Sequence, residues 1–222
     1  MVRTLAALAL CTASAGAQSI GDTPNVWDVT LGNGSGATTV SGALSRATYL
    51  GSSDRIKAGF NVRGTFVTGT MDLEPRDSRG IGSHDDVLTT PTGALLLNVG
   101  FNVGYEFSPR LFAGMNLDVF GISFGGNQQA TLHPEGGGAP VSITVKPDSP
   151  NLFAGGSSDR GSLNSEFFVQ WALTERYALR GGLSHQLVGV KFAGEGGAGA
   201  SSLEYRKFAN LVFVGLRISA AR

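Results

Sequence analysis

Residues 94–107 alternate between apolar and small or polar side chains with a period of two. The apolar positions are Leu95, Leu97, Val99, Phe101, Val103, Tyr105 and Phe107. The positions between them are mostly Gly, Asn and Glu. Successive side chains of a strand point to opposite faces, whereas a helix repeats every 3.6 residues. The segment therefore predicts a long β-strand with one apolar face.

The same alternation recurs along the chain and predicts eight strands, faintly in the first two and clearly in the others. They are residues 27–31, 38–50, 56–70, 94–107, 111–124, 163–173, 177–193 and 203–219. Val119 is expected on the apolar face of its strand, with Leu117. The last strand is irregular: it carries Leu211 and Phe213 on its otherwise polar face, which indicates a bulge or a deeper strand.

The connections between these strands alternate in length. They are residues 33–37, 52–54, 71–93, 108–110, 125–162, 174–176 and 194–202. Short turns on one side and longer loops on the other are typical of transmembrane β-barrels, whose turns face the periplasm. Eight strands then leave both chain termini on the periplasmic side, in agreement with the observed alternation.

The content of the polar face separates a membrane barrel from a soluble one. A strand that faces water usually carries many Lys and Glu side chains. Here the polar positions hold Gly, Asn, Ser and Thr with isolated charges, which suits the interior of a narrow barrel. The expected fold is an all-β, antiparallel, up-and-down transmembrane barrel of eight strands. The alternative is a soluble, secreted periplasmic β-barrel that binds an apolar ligand.

Aromatic residues near the short turns suggest a girdle at the membrane–water interface. The predicted girdle consists of Tyr105, Phe107, Phe112, Trp171 and Tyr177. The segment LNVGFNVGYEFSPRLFAGMNLDVFGISFG resembles the small eight-stranded bacterial outer-membrane proteins, the kind that includes the OmpA membrane domain and OmpX. That resemblance implies an outer-membrane location and a barrel embedded in lipid as a monomer.

Composition excludes several classes of protein. The 222 residues include 33 Gly, and only 15% are charged, against about 25% in soluble domains. Lys and Arg together number 17, as do Asp and Glu, so the chain has no net charge. A nucleic-acid partner is not expected, because binding to phosphates requires a basic surface.

The first 17 residues have the pattern of a secretory signal peptide. Arg3 is followed by a short apolar run and by Ala15-Gly16-Ala17, which fits a cleavage site for export. Residues 18–222 would then form one barrel domain. Removal of the peptide also removes Cys11, the only cysteine, so the mature chain would have neither a disulfide nor a thiolate metal ligand.

Eight charged residues fall on the polar faces of the predicted strands and are expected inside the barrel. They are Asp28, Lys57, Arg63, Glu106, Asp118, Glu166, Arg180 and Arg217. Four acids and four bases predict a mutually neutralised network with a structural role, since buried charges require partners. Arg63 and Arg180 are expected among Glu106, Asp118 and Glu166.

Enzymatic activity is not expected. Ser184 and His185 are adjacent, and adjacent strand residues point to opposite faces, so the two cannot share a proton. His185 is expected at the upper rim on the lipid side. The acidic segment around His84, Asp85 and Asp86 lacks the spacing of a calcium loop. No cofactor or metal site is predicted.

Function is therefore expected to depend on the surface loops. Loops 71–93 and 125–162 hold 23 and 38 residues, far more than the ~4–6 of a median connection. The second contains VSITV at 141–145, which suggests a hairpin that rises above the membrane. The chain is thus expected to be an envelope structural or surface-interaction protein with an extracellular or envelope partner. The alternative is a narrow channel for small solutes.

Overall fold

The computed structural model describes residues 25–50, 55–75, 86–134, 137–155, 159–193 and 204–219. The signal peptide predicted at 1–17 lies outside these residues. The strands are β1 Val26–Gly34, β2 Ala37–Leu50, β3 Ile56–Pro75, β4 Val87–Ser108, β5 Leu111–Phe124, β6 Gln128–His133, β7 Val141–Pro147, β8 Asn151–Leu152, β9 Asn164–Ala172, β10 Tyr177–Phe192 and β11 Glu204–Ser219. Among the described residues, no helix is long and apolar enough to cross a membrane.

Eight of the strands close into an antiparallel ring. Going round it, each strand pairs with the next in the order β1, β2, β3, β4, β5, β9, β10 and β11, and β11 pairs again with β1. The closing pair runs from Val26–Ser219 to Asn33–Val212. The prediction of an eight-stranded up-and-down barrel is confirmed, and closure leaves no unpaired edge in the ring.

Two local departures from the predicted strands have simple causes. The connection expected at 33–37 is a two-residue turn of Ser35 and Gly36, whose φ angles of 47° and 79° are those of a tight hairpin turn. In β5 a bulge shifts the pairing, so that Gly100 lies opposite Asp118 and Val99 opposite Phe120. Val119 therefore does not continue the outward face of Leu117, and Phe120 takes over that face.

The outer surface of the ring is a belt of exposed apolar side chains. Phe101 is 63% exposed, Leu183 62% and Val212 64%. On the opposite face of the same strands, Asn61, Arg63 and their neighbours are buried. A water-soluble protein rarely exposes so large a continuous apolar surface. An apolar exterior around a polar interior is the arrangement of a barrel that spans a lipid bilayer.

The belt ends on β3 between Phe66 and Thr68, and this boundary predicts the effect of an added charge. Val62 and Thr70 both face outward on β3, one within the belt and one beyond it. We expect Val62→Arg to destabilise the folded barrel in lipid vesicles by about 2–4 kcal/mol, as measured by urea unfolding. Thr70→Arg, the matched control on the same strand face, should stay within about 0.5 kcal/mol. Equal losses of unfolding free energy in the two variants would show that the edge of the bilayer does not lie between Phe66 and Thr68.

Beyond the belt, on the side opposite Val26 and Ser219, a second and narrower ring continues the sheet. The ends of four barrel strands and the whole of β6 and β7 form it. Going round it, β3 pairs with β4, β4 with β6, β6 with β7, β7 with β10, β10 with β11, and β11 with β3. We call this ring the outer tier. The short turns at 109–110 and 173–176 lie at the other end of the barrel, with the first residue of β1, Val26, and the last of β11, Ser219. We therefore place the outer tier on the outside of the cell.

The outer tier reverses the polarity of the membrane ring. One buried apolar side chain from each strand points into its centre; these are Leu73, Leu88, Ala130, Val145, Val190 and Tyr205. Its outward positions carry polar side chains, both neutral ones such as Thr89 and Gln129 and charged ones such as Asp72, Glu74 and Lys146. Burial, together with the charge of Asp86, raises the pKa of the Tyr205 phenol. The tier is therefore a small water-facing barrel built on a membrane barrel.

The outer tier corrects the prediction of loops at 71–93 and 125–162. Residues 71–75 and 87–93 are the ends of β3 and β4, and the remainder of the first loop, 76–85, lies outside the described residues. The second loop does contain the hairpin suggested by 141–145, formed by β6 and β7. What the alternation did not predict is that this hairpin pairs with β4 and β10 and completes a ring.

Candidate functional site

The lumen contains all eight charged residues that the sequence places inside the barrel. They do not form one network. Arg63, Arg180, Glu166, Asp118 and Asp28 are buried at mid-height. Lys57 and Glu106 form a separate, partly exposed pair nearer the periplasmic end. Arg217 lies between the two groups.

Glu166 on β9 is the centre of the buried group. Its Oε2 accepts hydrogen bonds from Arg180 Nη2 at 2.6 Å, from Asn116 Nδ2 at 2.9 Å and from Arg63 Nη2 at 3.1 Å. Arg63 Nη1 also lies 2.8 Å from Oε1, an ionic contact whose angle does not satisfy hydrogen bonding. Two guanidinium groups from β3 and β10 therefore share one carboxylate.

The remaining buried acids complete the charge balance. Asp118 Oδ1 lies 3.9 Å from Arg63 Nε, and Asn98 Nδ2 donates to its Oδ2 at 2.8 Å. Asp28 Oδ2 lies 3.3 Å from Arg180 Nη1. The aromatic ring of Phe168 lies 3.7 Å from the Arg180 guanidinium carbon, a cation–π contact that adds to the ionic ones.

The prediction that Glu106 lies among the arginines is wrong. Glu106 Oε2 instead contacts Lys57 Nζ at 2.8 Å and accepts a hydrogen bond from the Tyr49 hydroxyl at 3.0 Å. The reason is position along the barrel axis, since Glu106 is close to the periplasmic end of β4 and pairs in register with Phe112. Lys57 and Glu106 side chains are 31% and 25% exposed, in contrast to the buried group.

A second layer of amide side chains lies on the outer side of the charges. Asn151, carried by β8, donates to Asn98 Oδ1 at 2.7 Å, and its own Oδ1 accepts from Ser123 Oγ at 2.7 Å. Asn164 Oδ1 accepts from Ser184 Oγ at 2.7 Å. Asn151 could not be predicted as a lumen residue, because it lies in the segment 125–162 that is expected from the sequence to be a surface loop. These bonds fix part of that segment to the barrel wall.

Two clusters of buried apolar side chains close the lumen toward the outside. The inner cluster lies at the top of the membrane ring and consists of Ala37, Val67, Met71, Ala94, Leu96, Val188, Ala209 and Leu211. The second is the core of the outer tier. The inner cluster also explains the apolar Leu211 on the inward face of β11. A water-filled path through the described lumen would have to cross both clusters.

Toward the periplasm the lumen opens into a cavity of about 520 Å³. We call it the vestibule. Its lining includes Lys57 and Glu106, the arginines 110, 180 and 217, and the rings of Tyr49, Phe112 and Phe168. Because the buried charges and the apolar clusters lie above it, the vestibule is a pocket with one mouth.

The prediction that Phe112 belongs to the exterior aromatic girdle is wrong. Its ring points into the vestibule and lies against Phe168, with centroids 5.9 Å apart. Gly104 makes this possible, because a Cβ there would lie 2.2 Å from the Phe112 ring. The other four girdle residues are on the exterior, between 37% and 57% exposed, and Trp27 at 46% joins them. Phe112 shares its inward face with Gly114 and Asn116, the pattern that would have revealed it.

Ser184 and His185 point to opposite sides of β10, as the alternation implies. Ser184 is buried and bonded to Asn164, whereas His185 faces outward, stacks on Phe208 at 4.6 Å and contacts Asn210 through Nδ1 at 2.7 Å. Within the described ranges, no group of three His, Cys, Asp or Glu side chains could hold a metal ion. Most of the acidic loop around His84 lies outside those ranges.

No protein-family model matches the chain, and no curated protein has a significantly similar sequence. Solved structures with a similar arrangement include Neisserial surface protein A, with 8% identity, TM-score 0.37 and 89% and 96% of the two chains covered. A major outer-membrane protein from Thermus thermophilus has 10% identity and a TM-score of 0.39, with 90% of this chain and 100% of that chain covered. Ail of Yersinia pestis, the attachment invasion locus protein, has 10% identity and a TM-score of 0.28, with 88% of this chain and 97% of that chain covered.

This chain has the architecture of a membrane-spanning β-barrel of the outer-membrane type. Three observations support this assignment: the closed strand order, the apolar exterior and the polar lumen. The likeness to the solved structures concerns the fold. The distribution of charge and apolar side chains in the lumen has to be interpreted from this chain's own residues.

Proposed function

We propose that the protein is a non-conducting structural and surface-interaction protein of the envelope, and that its outer tier presents the interaction surface. The single observation that carries the proposal is the outer tier itself. A barrel that served only to anchor the chain would not need a second ring with its own apolar core. That core holds β6 and β7 in fixed positions above the membrane, and rigid elements present a binding surface more accurately than loops do.

The outward face of the tier suits recognition of a polar partner. Thr70, Thr89, Gln129 and Thr144 carry neutral hydrogen-bonding groups on neighbouring strands. The 2.7 Å bond from Thr89 Oγ1 to Asp72 and the 3.1 Å bond from Gln129 Nε2 to Thr144 hold these side chains in place. An envelope or extracellular component rich in hydrogen-bonding groups is the partner that this surface fits.

The rival function is a narrow channel for small solutes. It is disfavoured by the two apolar clusters and by the pairing of the lumen charges, since water and ions need a continuous polar path. Side chains fill the interior of other eight-stranded barrels as well.

Planar-bilayer recording and a binding assay together test the proposal. We expect the purified barrel to give no stable conductance steps. Cells that display it should bind envelope or extracellular-matrix material, and replacement of 128–147 by a Gly-Ser linker should abolish that binding. Heat-dependent gel migration is the control that the membrane ring of the linker variant remains folded. Stable, ion-selective conductance that changes in Arg63→Gln or Arg180→Gln, and persists in the linker variant, would contradict the proposal.

A further inference from the structure

The vestibule at the periplasmic end has no role in the proposed function, which concerns the opposite end of the molecule. Its volume of about 520 Å³ lies within the roughly 300–1,000 Å³ of small-ligand sites. It has a polar side and an aromatic side, and each consists of groups that other contacts hold in position.

The aromatic side is a pair of rings from neighbouring strands. Phe112 on β5 and Phe168 on β9 lie 5.9 Å apart at a tilt of 35°. Contact with the Arg180 guanidinium holds Phe168, and the open space at Gly104 accommodates Phe112. Phe112 and Phe168 both line the vestibule, so a flat apolar group that enters it meets an aromatic surface.

The polar side contains a guanidinium whose hydrogen bonds go to neutral side chains, with a carboxylate at a longer distance. Arg217 Nη1 donates to the neutral Gln170 Oε1 at 2.6 Å, and Nη2 lies 3.4 Å from Ser45 Oγ. Its nearest carboxylate oxygen is Asp28 Oδ1 at 3.6 Å, and the other oxygen of Asp28 serves Arg180. The Arg217 side chain is 17% exposed. By contrast, Lys57 has Glu106 at 2.8 Å.

We infer that the vestibule binds small monocarboxylates that bear a flat apolar group. The carboxylate accepts hydrogen bonds from Arg217, whose planar fork matches the two carboxylate oxygens. The apolar group packs against Phe112 and Phe168. The charged residues of the vestibule lining are four cations and two carboxylates: Lys57, Arg110, Arg180 and Arg217 against Asp28 and Glu106. The excess of cations favours an anionic ligand. A ring gains contact area that a small anion such as acetate does not.

Fluorine NMR titration of the purified barrel in detergent micelles tests the inference, because micelles leave the vestibule open. The probe is 4-fluorobenzoate. 4-Fluorobenzylamine has the same ring with the opposite charge, and trifluoroacetate has the charge without the ring. We expect saturable line broadening with 4-fluorobenzoate alone. Arg217→Gln should weaken its binding at least about tenfold, the size of losing one charged hydrogen-bonded contact.

Further variants separate the two sides of the site and guard against misfolding. Phe112→Leu should weaken 4-fluorobenzoate severalfold while the Arg217 side stays intact, and Arg217→Lys should bind more weakly than the native chain because it lacks the fork. Arg176→Gln, in a turn outside the vestibule, should bind as the native chain does. Heat-dependent gel migration checks that each variant is folded. Equal binding of the amine, unchanged affinity in Arg217→Gln, or absence of saturation would overturn the inference.

Discussion

Replacement of Glu166 by Gln is expected to destabilise the barrel by about 3–5 kcal/mol, the cost of leaving a buried charge without its partner. Glu166 accepts hydrogen bonds from both Arg63 and Arg180, and all three side chains are at most 4% exposed. Gln keeps the size of the side chain but removes its charge. It would leave the cations Arg63, Arg180 and Arg217 facing only the two carboxylates of Asp28 and Asp118.

Urea unfolding in lipid vesicles, followed by tryptophan fluorescence, measures this effect. Trp27 and Trp171 are the only tryptophans and both lie on the exterior of the ring, so their emission reports insertion. Glu106→Gln is the matched control. It removes a carboxylate from a partly exposed pair, for which about 0.2–1 kcal/mol is expected.

A double variant shows whether the cost comes from charge. Glu166→Gln with Arg180→Met leaves Arg63 beside Asp118 and Arg217 beside Asp28, one base for each acid. It should recover a large part of the stability lost in Glu166→Gln. If Glu106→Gln is as costly as Glu166→Gln, or if the double variant is less stable than Glu166→Gln, the lumen charges do not act as a balanced group.

The membrane ring could be predicted because one physical rule governs all of it. Every strand exposes one face to lipid and the other to a narrow polar lumen, so the period-two pattern identifies both the strands and their faces. The inward direction of residues such as Arg63 and Asp118 follows from that pattern alone. Their partners do not, because the pairing of Arg63 with Glu166, 103 residues apart, depends on the stagger between strands.

The outer tier could not be predicted because the rule reverses there. Leu73 is an inward apolar residue between the outward Asp72 and Glu74, and Leu88 is an inward apolar residue next to the outward Thr89. Lower on the same strands, inward residues such as Arg63 and Asn98 are polar. A prediction that requires polar residues on the inward face throughout therefore ends the strand where the inward residues become apolar, and it assigns a loop beyond that point. Completion of the ring also depends on β6 and β7, whose partners are distant strand ends that local sequence does not specify.

The contacts in the vestibule, like those in the outer tier, depend on how distant strands are aligned. The alternation places Arg217, Phe112 and Phe168 on the inward faces of three strands. These directions follow from the local sequence of each strand. That Arg217 has mainly neutral partners depends on the relative heights of β2, β9 and β11 around the ring, which bring Ser45 and Gln170 to the guanidinium. The set of partners around a charged side chain is thus a property of the assembled lumen.

Leu88→Ala is expected to destabilise the outer tier by about 2–5 kcal/mol, because it opens a cavity in a small closed core. Leu88 is fully buried among the apolar side chains of the other five strands of the tier. We expect trypsin to cleave this variant at Lys191 and Arg206, both on strands of the tier, while heat-dependent gel migration shows that the membrane ring remains folded. Thr89→Ala, the outward neighbour on β4, should resist trypsin like the native chain.

The same variant tests whether the two apolar clusters close the lumen independently. With the tier core weakened, the inner cluster around Leu96 and Leu211 still crosses the lumen. Leu88→Ala should therefore remain silent in planar bilayers, and conductance should appear only when Leu96→Ala is added. Conductance in the single variant Leu88→Ala would show that the core of the outer tier, and not the inner cluster, closes the lumen. Loss of the folded membrane ring in Leu88→Ala would contradict the division into two tiers, since a local cavity would then unfold the whole barrel as one cooperative unit.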